Sequence, residues 1–149
     1  MKQILTILIL LTVSFSLAGC GSTSSGTPSD ITEVNLPDGV YMTLQDASSD
    51  GISVILHNET DMDYIYGYDY RLEVLVKGRW EVVDTIIENV AFPAVGISLF
   101  AQTTADVAED WTVLHGSQPA GTYRFLKTLI PDDGPPAEQY WLAVEFTIS

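Results

Sequence analysis

The stretch Tyr68-Asp69-Tyr70-Arg71-Leu72-Glu73-Val74-Leu75-Val76-Lys77-Gly78-Arg79-Trp80-Glu81-Val82-Val83 decides the fold. Its apolar period is two, not 3.6. Tyr68, Tyr70, Leu72, Val74 and Val76 share one face, and Asp69, Arg71 and Glu73 point the other way. Strict alternation of this kind marks a half-buried strand. Lys77-Gly78 then breaks the run before Trp80 to Val83 resumes it, which predicts a tight hairpin, because glycine reaches positive φ without steric cost.

The same period recurs on both sides. Upstream, Val40 to Leu44 places Met42 and Leu44 on one face, and Ile52 to Asn58 does the same with Ile52, Val54 and Leu56. Between them Asp46 to Gly51 is rich in Ser, Asp and Gly, which is turn chemistry. Downstream, Asp84 to Gly96 is irregular, and Pro93 and Gly96 argue for a loop or a crossing between sheets. Ile97 to Phe100, Ala105 to Val113 and Thr122 to Ile130 read as strands. In the second of these Val107, Trp111 and Val113 share a face, and Glu109 on that parity suggests an exposed edge. Leu114 to Gly121 and Pro131 to Pro136 read as turn and loop. Tyr140 to Ile148 is the last strand, with Tyr140, Leu142, Val144, Phe146 and Ile148 facing one way. About seven to eight short strands and no helical period after the leader predict an all-β sandwich or barrel. The long connection at Asp84 to Gly96 favours a sandwich.

The N-terminus has a different character. Met1-Lys2 gives a positive start, Ile4 to Phe15 an apolar run, and Leu17-Ala18-Gly19-Cys20 a small-residue site ending on a cysteine. The run is shorter than the roughly 20 apolar residues of a membrane span and has the proportions of a signal-peptide core. Leu17 to Cys20 resembles the lipobox of bacterial lipoproteins. That resemblance implies cleavage between Gly19 and Cys20, diacylglycerol on the Cys20 sulfur and an acylated new N-terminus. The competing reading is an uncleaved anchor with Cys20 an ordinary thiol. Domain expectations follow: residues 1–19 a signal peptide, 20–37 the lipidated cysteine and a flexible tether, 38–149 the folded body. Gly21 to Asp30, rich in Ser, Thr and Gly, reads as the flexible part, with nothing to bury.

Removing residues 1–19 from the 149 leaves 130, enough for one domain. Cys20 is the only cysteine, so no disulfide is expected, and apolar burial must hold the body. The formal charge is −14, and the leader carries Lys2 and no acid, so the remaining side chains sum to −15. This charge argues against nucleic acid as a partner and against an electrostatic membrane contact. Acyl chains on Cys20 are then the expected membrane attachment, at the extracytoplasmic face of the cell membrane, or of an outer membrane if there is one.

Pro119-Ala120-Gly121-Thr122-Tyr123-Arg124-Phe125 sets a tyrosine just inside a strand after a turn. It resembles the tyrosine corner of immunoglobulin-like sandwiches, in which the phenol bonds back to the turn. With His57-Asn58, Tyr66-Gly67-Tyr68, Gly78-Arg79-Trp80 and Glu145-Phe146, the span from Val40 to Ser149 resembles the bacterial immunoglobulin-like domain of small lipoproteins and cell-surface proteins. The resemblance implies an immunoglobulin-like β-sandwich, a structural role for Tyr123 and a surface role for the protein, with no catalytic residues to carry over.

Chemistry-bearing motifs are sparse. Neither Gly-x-Ser-x-Gly nor His-Glu-x-x-His occurs. His57 and His115 supply at most two ligands to a His/Cys metal site. His57 is expected to end a strand at the surface and His115 to sit in the turn before Gly121. The acids of Asn58 to Asp63, with Asp46 or Asp50, offer oxygens to calcium, but without the order of an EF-hand loop. No cofactor and no metal are expected. The aromatic stripe Tyr64, Tyr66, Tyr68, Tyr70 is the binding candidate, as a platform for sugar rings or a protein. The alternative is that Tyr68 and Tyr70 continue into the core while Tyr64 and Tyr66 cap its end and stay the most exposed. The expected function is a non-catalytic, lipid-tethered module for adhesion, envelope assembly or protein interaction, with a protein or glycan partner. The alternatives are a protease-inhibitor or carbohydrate-binding module and, from another class, a hydrolase with dispersed carboxylates.

Overall fold

The computed structural model describes residues 26–133 and 138–149. Gly19 and Cys20, with the whole leader, lie outside the described residues. Among the described residues ten strands follow in order: β1 (Thr27–Pro28), β2 (Val40–Ala47), β3 (Gly51–Asn58), β4 (Tyr64–Tyr66), β5 (Arg71–Val76), β6 (Arg79–Val82), β7 (Ile97–Leu99), β8 (Thr103–Asp110), β9 (Gly121–Pro131) and β10 (Tyr140–Ile148). One helical turn, α1 (Thr112–His115), lies between β8 and β9. Two antiparallel sheets form. One has the order β1-β6-β5-β9-β4-β7 with β10 on the other side of β9, and the other has the order β2-β3-β8. The expected all-β sandwich is the fold.

The alternating pattern explains the layers. Ile52, Val54 and Leu56 of β3 are buried, opposite Leu72, Phe125, Leu129, Leu142 and Phe146 from the larger sheet. The β5–β6 hairpin turns on Lys77 and Gly78, both at positive φ (50° and 80°). That is the two-residue turn whose twist matches paired strands. At the tyrosine corner the Tyr123 hydroxyl donates to Pro119 O at 2.8 Å, and its ring stacks on Phe146. Gly121 lets that ring lie against the backbone, since a Cβ there would sit 3.2 Å from the ring. Trp111 is fully buried, and its indole N–H donates to Ser49 O at 2.8 Å.

Several expectations need correction. Leu44 keeps the face of Met42, since it pairs with Val54 as Met42 pairs with Leu56, but it is 41% exposed, beside the register shift between Leu44 and Asp46. The strand expected over Ala105 to Val113 stops at Asp110; the Asp110 carboxylate accepts from the Thr112 N–H and hydroxyl, the chain enters α1, and Val113 faces solvent. Asp84 to Gly96 is a loop joining β6 and β7 of one sheet; the chain changes sheet between β1 and β2, β3 and β4, β7 and β8, and β8 and β9.

The largest correction concerns the tether. The chain is docked from Thr27, not free to residue 37. Thr27 and Pro28 pair with Val82 and Glu81, and Ser29 N–H donates to Trp80 O at 2.9 Å. Further on, Asn35 bonds the backbone of Ala143 through both ends of its amide, at 2.9 and 3.1 Å. Residues 27–35 therefore form a strap across the outer face of the larger sheet, a third layer over two.

Candidate functional site

Two clusters of buried charge flank β9, one on each face. β9 is the strand with neighbours on both sides and layers above and below, so Tyr123 to Leu129 are all buried.

On the outer face, Glu73 is fully buried and fully engaged. Arg124 Nε lies 2.6 Å from its Oε2, Arg71 Nε 2.9 Å from its Oε1, and the Ser29 hydroxyl donates to Oε1 at 2.6 Å. The Arg124 guanidinium also donates to Ser29 Oγ and Ile31 O, both at 3.2 Å, and lies over the Trp80 ring at 4.7 Å. Asp30 reaches Arg71 at 2.6 Å, and that bond holds its carboxyl below the usual carboxylate range. Glu73 and Arg124 have hydrogen-bonded partners, the condition under which a buried charge is tolerated, whereas the buried Arg71 Nε lies within ion-pair distance of Glu73 without a hydrogen bond to it.

On the inner face, Lys127 is buried in the sandwich with one polar partner, Glu109 Oε1 of β8, at a long 3.4 Å. Burial pushes the Lys127 ammonium down from its ordinary value, and the attraction of Glu109 opposes this. Burial likewise pushes the Glu109 carboxyl up, against the pull of Lys127. Beside the pair opens a cleft of about 350 Å³ lined by Tyr66, Tyr68, Ile97, Asp106, Glu109 and Lys127 among others. The volume is in the range of small ligand pockets. It exists because β4 and β5, both on the same side of β9, are separated by Gly67 to Tyr70. The Asp69 carboxylate folds back onto Gly67, in the space a Cβ would fill, and accepts from Thr128 Oγ1 at 2.8 Å. Nearby, the buried Tyr70 hydroxyl has no hydrogen-bond partner, and burial, with Glu109 and Asp110, pushes it up to about 12.

The break also decides the tyrosine stripe. Tyr64 and Tyr66 are core residues, 4% and 8% exposed, not the exposed pair expected. β4 is covered by β7 on one side and β9 on the other. Tyr68, in the bend, is 49% exposed, and Tyr70 packs among Phe92, His115 and Phe125. The platform expected of Tyr64 and Tyr66 is thus a single exposed ring, Tyr68, at the rim of the cleft.

The acidic loop serves the fold. Asn58 is buried and donates to the carbonyls of Met62, Leu99 and Phe100, while its Oδ1 accepts from Thr60 N–H and Oγ1. Asp63 accepts from Ala101 N–H at 2.7 Å. Asp46 and Asp50 lie at the other end of β3, about 23 Å away for eight strand residues. Among the described residues no group of three or more His, Cys, Asp or Glu is arranged to hold a metal ion. His57 stacks on Tyr41 at 4.6 Å and bonds Thr43 Oγ1, and His115 ends α1 with Nδ1 3.0 Å from Asp84 O.

A family model described as Bacterial Ig-like domain matches residues 37–147. The match takes in both sheets from β2 onward and stops short of the strap. No curated protein matches the chain.

Proposed function

Because the chain belongs to the bacterial Ig-like domain family, we propose that it is a lipid-tethered, non-catalytic module of the cell envelope that binds a protein partner along β8. The observation that carries this reading is the pairing of a free strand edge with a cleft. Among the described residues β8 is hydrogen-bonded to β3 alone, and the cleft runs beside its Asp106 to Glu109. An extended segment adding to β8 gains backbone hydrogen bonds, and pockets beside the edge select its side chains. The cleft suits a basic side chain: Asp106 and Glu109 supply carboxylates, Tyr68 an exposed ring face, and Lys127 offsets only one of the two charges. The non-catalytic reading is supported by the engagement of Glu73, Arg124 and Arg71 with one another.

Attachment through Cys20 rests on Leu17-Ala18-Gly19-Cys20. More than one acyl chain is needed for stable anchoring, which the doubly modified Cys20 of a lipoprotein would supply. A fatty-acid label on growing cells tests it: uptake by the protein and none by Cys20→Ala is the expected result, and label on Cys20→Ala refutes the anchor. Photocrosslinking on intact cells from position 68, with position 43 on β2, at the far edge of the sheet that holds β8, as control, tests the binding edge. An adduct at 68 and none at 43 is expected; equal capture at both positions, or none at 68, contradicts it.

A further inference from the structure

We infer that the apolar tip formed by Ile86, Ile87 and Val113 rests on the lipid surface to which the chain is anchored. The inference depends on the Cys20 anchor proposed above.

Three large aliphatic side chains are exposed at one place. Ile86 is 67% exposed, Ile87 41% and Val113 69%. The Ile86 N–H donates to Leu114 O at 2.7 Å, which pins the loop after β6 to α1, beside Val113. Asp84 O meets the His115 ring in the same corner. Apolar groups clustered in water on an otherwise acidic body mark a contact surface.

The strap says what the contact is. Thr27 is paired with Val82 and Ser29 with Trp80, so β1 runs away from the end of β6, and Gly26 lies on the Val83 side. The chain leaves the body there. Ile86 is four residues beyond Val82. Six peptide units separate Cys20 from Gly26, and fully extended they reach about 20 Å. A docked strap thus shortens the leash and holds the β6 end of the body against the membrane. The tip lies within that reach. Asp84 and Glu88 flank it, with no Lys or Arg between residues 80 and 123. The surface it fits is therefore the zwitterionic headgroup and acyl boundary, entered by apolar contact and not by charge.

The test uses the anchored protein isolated from membranes and reconstituted in phosphatidylcholine vesicles. Lipid consumes Cys20, the only cysteine, so Val113→Cys supplies the one free thiol for a nitroxide, and Asp61→Cys, in the exposed loop at the other end of β3, supplies a control label. The expected result is at least threefold lower collision with a water-soluble nickel chelate and higher collision with oxygen at position 113 than at position 61. Equal accessibility at the two positions in a chain that takes up fatty acid overturns the inference and leaves the anchor standing. Shielding at 113 that disappears on diluting the protein in lipid assigns the tip to a second copy and overturns it too. A chain that takes up no fatty acid overturns both. Ile86→Ser combined with Ile87→Ser, with an unchanged melting temperature, is expected to return position 113 to aqueous values.

Discussion

The two faces of β9 carry the same kind of group and treat it in opposite ways. Outside, the Glu73 carboxylate is met by two guanidiniums and a hydroxyl, all within 2.9 Å, and the strap closes over them. Inside, the Lys127 ammonium meets one carboxylate at 3.4 Å beside an open cleft. The physics of burial is the same: a charge leaving water loses several kcal/mol of hydration, which only close, multiple bonds recover. A cluster with several close partners is structural. A single long contact next to empty space leaves donors and acceptors for something else to meet.

Substitutions sharpen that contrast. Glu73→Ala leaves Arg124 and Arg71 facing each other without their shared anion. Breaking a buried pair in this way costs about 3–5 kcal/mol, read as a lower denaturation midpoint in urea with an unchanged slope. Ser29→Ala removes the hydroxyl that bonds both Glu73 and Arg124. A hydrogen bond to a charged group contributes about 1.5–3 kcal/mol, so a loss of about 2 kcal/mol is expected from a residue that the sequence places in a free leash. A loss near zero would mean that the strap contributes nothing.

Lys127→Met is the smallest effect. Glu109 keeps one-fifth of its side chain in water and can turn outward, so the change is expected within about 1 kcal/mol, since apolar replacement of buried charge is often neutral. Its pH signature is clearer. The folded ammonium has a lowered pKa, so between that value and the ordinary lysine value the unfolded chain binds the extra proton. Stability contributed by this group then rises with pH across that window. Glu109 works the other way at acid pH: its raised folded pKa makes the folded chain bind more protons between the ordinary value and the raised one, so stability falls as pH rises there. Urea titrations against pH should lose the alkaline rise in Lys127→Met.

How far the chain could be read before its fold was known follows from the same contrast. Period two located β3, β6 and β10 and the core residues Ile52, Val54, Leu56, Leu72, Leu142 and Phe146, because one buried face imposes strict alternation. Tyr123 was legible because a tyrosine corner is local. Glu73, Arg124 and Lys127 were not, since alternation separates two faces and does not say that both are covered. The one available signal was Arg124 and Lys127 inside the otherwise apolar run Tyr123 to Leu129, in a chain with only 6 Lys and Arg. The stripe from Tyr64 to Tyr70 misled because one parity was carried across Gly67, where the strand breaks and Tyr68 swings out. The strap was hidden by composition: Gly21 to Asp30 has almost nothing to bury, and the part from Thr27 docks through backbone pairing and two polar side chains, Ser29 and Asp30.

Amide hydrogen exchange at Thr27 to Ser29 in the full chain tests most directly whether the strap belongs to the fold. The Ser29 N–H, donated to Trp80 O, is expected to exchange as slowly as the amides of β6 and to speed up with them in Glu73→Ala. Exchange at the rate of an unstructured peptide, with β6 still protected, would contradict a third layer and return residues 27–35 to a free tether.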